Sequence, residues 1–332
     1  MSKISIIGAG NVGATAAMKI ASMGIVNKVV LLDVKEGIAE GKAMDIMQCG
    51  VCQDFNTEVV GVTNDYTATA NSEVIVITSG VPRKPGMTRE ELVGINSSIM
   101  KSVVTECDKN SPHAIYVVVS NPMDTMTYQV ISILYRLHPD MPLEMLGRKV
   151  FGMGGMLDSS RFRYFIKQAI DKKKPDYKCM MSDIYAWVIG GHGDTTMIPL
   201  WQDAVVVDPE IGTIPLTSIL SQEEIDEVVQ KTMKGGATLT GLLGTSAWEA
   251  PGAAIADTVK NIIKNEERIM PCSIFRPEYD CCIGTLVRLG RIGVTTHFVK
   301  TGEVVNKEEL HDKFQASVEA VKKVNNELPK FE

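Results

Sequence analysis

The residue best suited to proton transfer in this 332-residue sequence is a histidine flanked by glycines. His192 is one of five histidines and lies in the run GGHGD at 190–194. Its glycine neighbours leave the imidazole uncrowded, and its reference pKa of about 6.5 suits proton exchange at neutral pH. A lone histidine is more often structural, however, so a catalytic interpretation depends on companion residues elsewhere in the chain.

Suitable companions occur in the run LDSSR at 157–161. Asp158 and Arg161 are three positions apart and would share one face of a helix. A buried carboxylate can orient an imidazole and stabilise its cation, while a guanidinium can hold a carboxylate through two parallel hydrogen bonds. As a generic pattern, D-x-x-R is usually a surface ion pair. The spacing alone therefore leaves a catalytic triad and a solvated pair both open.

A glycine-rich turn, GAGNVG at 8–13, stands between an apolar run and a predicted helix over 12–23. Gly8 permits a tight turn, Gly10 lets the backbone approach a pyrophosphate, and Gly13 allows close helix–sheet packing. The amino terminus of the helix offers free N–H groups and the positive end of its dipole to phosphates. The motif predicts a dinucleotide site, and a glycine-rich turn without a ligand is the alternative.

An acidic residue supports the dinucleotide interpretation. Asp33 lies 20 residues after Gly13 and directly follows the apolar run at 29–32. A carboxylate there can bond both ribose hydroxyls and would repel a 2′-phosphate. No arginine follows Asp33 directly. The sequence therefore predicts NAD rather than NADP as the cofactor.

A basic loop, TSGVPRKPGMTR at 78–89, follows a predicted strand. Two prolines and two glycines mark it as a loop, and it leaves the carboxyl end of a strand, where open α/β sheets bind ligands. Arg83, Lys84 and Arg89 place three cations within seven residues. A solvated basic loop is one interpretation. The other is a lid that closes on an anionic substrate.

Strands and helices alternate in the first half of the chain, which predicts right-handed crossovers and a parallel sheet. We expect strands at 4–7, 29–32, 58–62, 74–77 and 114–119, with helices at 12–23, 38–48 and 91–108. The second half mixes predicted helices at 155–170, 253–264 and 308–328 with a strand at 184–189 and a hairpin at 286–294. The predicted fold class is α/β, a Rossmann-type parallel sheet followed by an α+β substrate domain. We place the boundary near residue 150, giving a cofactor domain at 1–150 and a substrate domain at 151–332.

Composition excludes several classes of protein. With 34 basic and 40 acidic residues the net charge is −6, which argues against a nucleic-acid partner. No apolar run approaches the roughly 20 residues of a membrane helix, and no signal peptide is visible, so we expect a cytoplasmic protein without membrane contact. The seven cysteines predict free thiols. The C-x-x-C at 49–52 lacks the further ligands of a metal site, so we expect a semi-buried helix end and no metal.

Taken together, these motifs resemble the lactate and malate dehydrogenase family over essentially the whole chain. The landmarks are GAGNVG at 8–13, Asp33, VPRKPGMTR at 81–89, NPMD at 121–124, LDSSR at 157–161 and GGHGD at 190–194. Within the family the chain is most similar to the lactate-dehydrogenase-like, NAD-dependent malate dehydrogenases. Enzymes that reduce pyruvate typically carry Gln at the position of Arg83, and malate enzymes carry Arg. A guanidinium there would pair with the second carboxylate of oxaloacetate and be left unpaired opposite the methyl group of pyruvate.

The resemblance implies reversible oxidation of (S)-malate to oxaloacetate, with His192 exchanging the proton and Asp158 orienting it. It implies a dicarboxylate bound by Arg83, Arg89, Asn121, Arg161 and Ser246. It also implies NAD contacts at Gly8, Gly10, Asn11, Val12, Gly13, Asp33, Ser79, Gly80, Asn96, Val119 and Asn121. A cis Asn121–Pro122 bond, a homodimer or homotetramer and a place in the tricarboxylic acid cycle are further implications.

Two alternatives stay open from the sequence. A lactate or other 2-hydroxyacid dehydrogenase would share the fold, and Arg83 is the feature against it. A non-catalytic NAD sensor would need an output module, such as a helix with a basic recognition face, and the sequence offers none.

Overall fold

The first half of the chain forms the parallel part of a large sheet. The computed structural model describes residues 2–82, 86–297 and 308–329. Six strands lie in the order β3-β2-β1-β4-β5-β6, and each pairs with its neighbours in parallel within this part. They are β1 (Lys3–Ile7), β2 (Lys28–Asp33), β3 (Glu58–Thr63), β4 (Val74–Ile77), β5 (Ile115–Val118) and β6 (Val150–Gly152). The Rossmann-type parallel sheet is thus confirmed.

The helices between these strands cover both faces of the sheet, which explains why the strands are continuous apolar runs. They are α1 (Asn11–Ser22), α2 (Ile38–Gln53), α3 (Arg89–Asn110), α4 (Met123–Leu137) and α5 (Leu143–Lys149). One buried cluster joins the sheet to α1 and α2, and a second joins it to α3 and α4. Helix α3 begins at a capping box in which Thr88 Oγ1 accepts from the Glu91 amide at 3.1 Å and the Glu91 carboxylate accepts from the Thr88 amide at 2.8 Å.

The same sheet continues past residue 150 with antiparallel pairing. β6 pairs with β12 (Arg268–Arg276), and β13 (Cys281–Gly290), β8 (Val188–Gly190) and β9 (Met197–Pro199) extend it. β14 (Gly293–His297) pairs with β13, so the hairpin predicted at 286–294 is confirmed. The remaining described helices are α6 (Gly155–Lys173), α7 (Gln222–Leu243), α8 (Glu249–Lys264) and α9 (Glu308–Asn325).

The single strand predicted at 184–189 is wrong. β7 (Ile184–Tyr185) belongs to a separate small sheet with β10 (Val205–Asp208) and β11 (Gly212–Pro215), whereas β8 joins the main sheet. The backbone between them bonds elsewhere: the Ala186 carbonyl accepts from Arg163 Nε at 3.1 Å, and the Trp187 carbonyl accepts from the Leu200 amide at 2.9 Å. The apolar run therefore crosses from one sheet to another.

Two negative findings bear on function. Across the described ranges, none of the helices is both long enough and apolar enough to cross a membrane. All seven cysteines are free thiols, with Cys52 exposed at the end of α2.

Candidate active site

The glycine turn joins β1 to α1 and leaves room for a ligand. Gly8 has φ +111°, and a Cβ at Gly13 would lie 1.9 Å from the Gly8 carbonyl oxygen, so neither position tolerates a side chain. A Cβ at Gly10, by contrast, would meet no atom within 4 Å. No side chain caps the amino terminus of α1. An open space above uncapped amides fits a pyrophosphate, and the amides of Asn11 and Val12 lie in this first turn.

Asp33 ends β2 beside this turn. Its Oδ2 accepts a hydrogen bond from the Ala9 amide at 2.7 Å, and its Oδ1 accepts from the Lys35 amide at 2.9 Å. The two bonds fix the carboxylate against the glycine turn at the carboxyl edge of the sheet. This placement fits a group that recognises the ribose of a dinucleotide.

The carboxyl ends of β4 and β5 carry the next group of predicted cofactor residues. Ser79 and Gly80 follow β4, and Val119 and Asn121 follow β5. Because β4 and β5 are parallel neighbours, these residues share the sheet edge at which the glycine turn lies. The Asn121–Pro122 peptide is cis, as the resemblance implied.

Asn96 ties these two connections together. Its Oδ1 accepts from the Val81 amide at 2.8 Å, while its Nδ2 donates to the carbonyls of Val81 at 3.2 Å and Asn121 at 2.7 Å. The side chain is buried on α3. Three bonds within the protein explain its position, and a cofactor contact from Asn96 stays a prediction.

A cleft of about 460 Å³ opens at the same edge of the sheet. Three predicted site residues line it: Arg89 from the start of α3, Asn121 before α4, and His192 from the connection between β8 and β9. The cleft thus brings together a cation, an amide and an imidazole that are far apart in the sequence. Such a set can bind an anionic, hydrogen-bonding ligand and exchange a proton with it.

Behind the cleft, one carboxylate joins the histidine to the arginine of α6. Asp158 Oδ2 lies 2.7 Å from His192 Nδ1, and its Oδ1 accepts from Arg161 Nη1 at 3.1 Å. The Asp158 side chain is 2% exposed and that of Arg161 11%. The structure therefore makes the Asp158–Arg161 pair a buried one that reaches the imidazole, and the surface ion pair is excluded. With Nδ1 held by Asp158, the other ring nitrogen, Nε2, is left for a ligand.

The charges around the imidazole favour its protonated form. Burial alone would lower the pKa of His192, but the charge of Asp158, its hydrogen bond and the charge of Asp124 outweigh burial. Arg161 acts in the opposite direction. The net result is a pKa of His192 above its ordinary value, which suits an acid that must be charged near neutral pH.

One glycine inside α7, Gly235, makes room for Arg161. A Cβ at Gly235 would lie 2.2 Å from Arg161 Cδ, whereas one at Gly236 would lie 3.8 Å from Arg161 Nη2. The glycine pair at 235–236 was not among the predicted site residues, although it carries a signal. Glycine within a helix costs about 1 kcal/mol relative to alanine, so a glycine pair there indicates a close approach by another group.

Other features of the cleft were also not anticipated. Its lining also includes Asp124 and three residues of α9: Ala320, Val321 and Val324. A weak pattern could have indicated the contribution of α9: this helix is amphipathic and presents an apolar stripe to the rest of the fold.

One predicted substrate residue lies away from this assembly, and another falls outside the described residues. Ser246 is exposed in the connection between α7 and α8 and does not line the cleft. Arg83 lies outside the described residues, so its predicted contact with substrate stays a prediction. Among the described residues, no group of three histidine, cysteine, aspartate or glutamate side chains could hold a metal ion.

Comparison with known proteins identifies the family. Residues 2–134 match the model of the lactate/malate dehydrogenase NAD binding domain, and residues 155–332 match that of the lactate/malate dehydrogenase alpha/beta C-terminal domain. The chain belongs to the lactate/malate dehydrogenase family. The first match covers the glycine turn and Asp33, and the second covers Asp158, Arg161 and His192.

Relatives of high similarity carry one name. Proteins called malate dehydrogenase from Bacteroides fragilis and Flavobacterium frigidimaris are each 50% identical to this chain. The first aligns over 99% of this chain and 98% of its own length, and the second over 98% of each.

Solved structures agree with the fold. The malate dehydrogenase of Salinibacter ruber is 35% identical and superposes with a TM-score of 0.85, covering 98% of this chain and 97% of its own. A lactate dehydrogenase from Cryptosporidium parvum, complexed with lactic acid and nicotinamide adenine dinucleotide, is 31% identical with a TM-score of 0.81 and 99% coverage of both chains. The fold therefore accommodates both substrate types among its neighbours.

Proposed function

We propose that this chain is an NAD-dependent malate dehydrogenase that interconverts (S)-malate and oxaloacetate. The observation that carries the proposal is the Asp158 carboxylate bonded at once to His192 and Arg161, beside a cleft at the cofactor edge of the sheet. Relatives at 50% identity over nearly their whole length bear the same name. The proposal combines a site that can exchange a proton with a binding position for a 2-hydroxy acid.

Proton transfer is the task of His192. In malate oxidation its Nε2 takes the proton of the C2 hydroxyl, and in oxaloacetate reduction it returns that proton to the C2 oxygen. Asp158 holds Nδ1 at 2.7 Å, fixes the ring orientation and stabilises the imidazolium. NAD, when bound, supplies the acceptor or donor of the hydride at C2.

The arginines bind and polarise the substrate. Arg161 uses one guanidinium N–H for Asp158, and its remaining donors are suited to a bidentate pair with the C1 carboxylate. Arg89 lines the cleft and would stabilise negative charge on the C2 oxygen in the transition state. Asn121 would add a hydrogen bond to the substrate, and Ser246 would approach it from the α7–α8 connection.

Arg83 is the proposed partner of the C4 carboxylate. Its role rests on charge: a guanidinium in a water-poor site favours a dianion and leaves a buried cation unpaired when the substrate ends in a methyl group. For the cofactor we propose contacts at Gly8, Gly10, Asn11, Val12, Gly13, Asp33, Ser79, Gly80, Asn96, Val119 and Asn121. These residues would make 1–150 the cofactor domain and 151–332 the substrate domain.

The test is steady-state oxidation of NADH with oxaloacetate and with pyruvate. We expect kcat/KM for oxaloacetate to exceed that for pyruvate by roughly a thousandfold or more, the size of discrimination that a paired polar group provides. Comparable rates, or a preference for pyruvate, would refute the malate assignment.

A second candidate is a lactate or other 2-hydroxyacid dehydrogenase, favoured by the similarity to the Cryptosporidium parvum lactate dehydrogenase. Arg83→Gln separates the two. If Arg83 reads the C4 carboxylate, the ratio of pyruvate to oxaloacetate kcat/KM rises in this variant. An unchanged ratio removes Arg83 from that role and favours the second candidate.

We also propose that the protein works as a homodimer or homotetramer in the cytoplasm, within the tricarboxylic acid cycle. Support for self-association is an exposed apolar stripe on α2, where Met44 is 67%, Met47 39% and Val51 93% exposed. Support for a reducing compartment is the set of seven free thiols. Light scattering of the purified protein would give the oligomer size, and a monomer would refute the proposed assembly.

A further inference from the structure

A second buried carboxylate, that of Asp124, contacts the backbone of His192. Asp124 is in the first turn of α4 and is 7% exposed. Its Oδ2 accepts a hydrogen bond from the His192 backbone N–H at 2.7 Å, and its Oδ1 accepts from the Ser273 hydroxyl at 2.6 Å. The carboxylate thus joins the start of α4, the histidine connection and β12.

A buried carboxylate is a costly way to connect three segments, because its charge loses the solvation of water. Burial raises the pKa of Asp124 above its ordinary value, and the Ser273 hydroxyl and the His192 amide, which stabilise the anion, offset only part of that rise. One donor at each oxygen is the arrangement expected for an ionised carboxylate. A neutral side chain could fill the same space at lower cost, so the charge itself calls for an explanation.

The position of the imidazole depends on the position of the Asp124 carboxylate, because the histidine is held both at its backbone and at its ring. A Cβ at Gly154 would lie 2.7 Å from His192 Cγ and 2.5 Å from Met123 Cε. The residue that precedes α6 is therefore in close contact with the imidazole and with Met123 at the start of α4, and any side chain at position 154 would displace them. Since Asp124 anchors the backbone of His192, the position of the ring depends on that anchor.

We propose that Asp124 is a positioning residue for the proton transfer: it fixes the backbone of His192 and places a second negative charge near its imidazole. The inference rests on the proposed function, because it concerns the residue that exchanges the proton. It adds a role to the last residue of NPMD at 121–124.

The sign of the effect follows from the charges that face His192. From α6 come Asp158, which favours the imidazolium, and Arg161, which disfavours it; from α4 comes Asp124, which favours it. Arg89 lines the cleft, and Asp194 is on the same connection as the histidine. Removing the charge of Asp124 alone lowers the pKa of His192. We expect the loss of this one nearby charge to lower the pKa of His192 by roughly 0.5 to 1 unit.

The variant that isolates the charge is Asp124→Asn. Its amide oxygen can still accept from the His192 N–H, and its amide nitrogen can donate to Ser273 Oγ, so the geometry is retained while the charge is lost. The matched control is Asp108→Asn, which also converts a buried aspartate that contacts a histidine, His138 Nε2 at 2.7 Å, but in the α3–α4 region away from the cleft.

The measurement is kcat/KM against pH in both directions. With increasing pH, kcat/KM falls for oxaloacetate reduction and rises for malate oxidation. In Asp124→Asn both of these transitions move to lower pH by roughly 0.5 to 1 unit. One pH unit above the wild-type transition, reduction is then roughly three- to tenfold weaker than in the wild type. Asp108→Asn leaves both transitions in place. A uniform loss of kcat without a shifted transition would mean a merely structural role and would overturn the inference.

A second variant and a measurement that does not depend on turnover keep the inference testable if Asp124→Asn fails to fold. Ser273→Ala removes one donor from the carboxylate, raises its pKa and so shifts the same transitions in the same direction by a smaller amount. ¹⁵N-histidine NMR of the apoprotein, with His192 assigned by loss of its signal in His192→Gln, reports the imidazole titration directly. An imidazole pKa unchanged in both Asp124→Asn and Ser273→Ala overturns the inference. Failure of the wild type to reduce oxaloacetate overturns the proposed function instead, and the NMR titration still decides the charge effect.

Discussion

A substitution at Gly235 can displace the Arg161 side chain without changing any residue that we expect to contact the substrate. In Gly235→Ala the new methyl group would lie 2.2 Å from Arg161 Cδ and 2.9 Å from its Nε. Ordinary contacts begin at 3.4 Å, so the Arg161 side chain must move by more than 1 Å. Its ion pair with Asp158, at 3.1 Å, is then lengthened or lost.

A displacement of about 1 Å in a positioning group costs on the order of a hundredfold in rate. We therefore expect kcat/KM for oxaloacetate to fall roughly a hundredfold, equivalent to about 2.7 kcal/mol of transition-state stabilisation. The free energy of unfolding should fall by no more than a few kcal/mol, because the gain of about 1 kcal/mol from alanine in a helix interior offsets part of the cost of disturbing the buried Asp158–Arg161 pair.

Gly236→Ala is the matched control in the next position of α7. Its methyl group would lie 3.8 Å from Arg161 Nη2, an ordinary contact, so activity should stay within a few-fold of the wild type. The assay is NADH oxidation with oxaloacetate, accompanied by thermal unfolding of both variants. If Gly235→Ala keeps wild-type kcat/KM, or if both variants lose activity equally, the claim that α7 positions Arg161 is refuted.

Two further substitutions test the site. His192→Ala should nearly abolish turnover because the group that exchanges the proton is lost. NADH binding, measured by fluorescence titration, should be almost unchanged because the glycine turn is intact. Surviving turnover would show that another group supplies the proton. Asp33→Ser should weaken NAD binding and relax discrimination against NADP, since the carboxylate at the end of β2 is the predicted ribose partner, and an unchanged ratio of kcat/KM for the two cofactors would exclude that role.

Local patterns predicted the first half of the fold well because its strands and helices are set by adjacent residues. The run before Gly8, the helix after Gly10 and the acid at Asp33 form one βαβ unit whose geometry follows from short-range sequence. The strands are buried on both faces, so their apolar runs are easy to detect.

The second half was harder because its pairing is long-range. The run at 184–189 has the composition of one strand, yet β7 and β8 find partners in different sheets. β12 was missed for a different reason, because it pairs locally with β13, the next strand in the chain, over nine positions. Its residues include Pro271 and two arginines, which obscure the alternation typical of a strand.

Within the site, spacing could place Asp158 and Arg161 on one helical face but could not decide whether that face is buried. The structure decides it through the 2.7 Å contact with His192, which lies 34 positions away. Asp124 was visible only as part of a motif. Its bonds to the His192 amide and to Ser273 depend on three segments that meet only in the folded chain.

The most direct test of the central claim, that His192 held by Asp158 exchanges the proton, is the pH dependence of kcat/KM in both directions. Asp158 and Asp124 hold the pKa of His192 above about 6.5 despite burial. Reduction requires the imidazolium and oxidation the neutral ring. Oxaloacetate reduction should therefore fall, and malate oxidation rise, as pH passes through one shared pKa above that value. Two profiles that are flat across neutral pH, or that change in the same direction, would contradict the account.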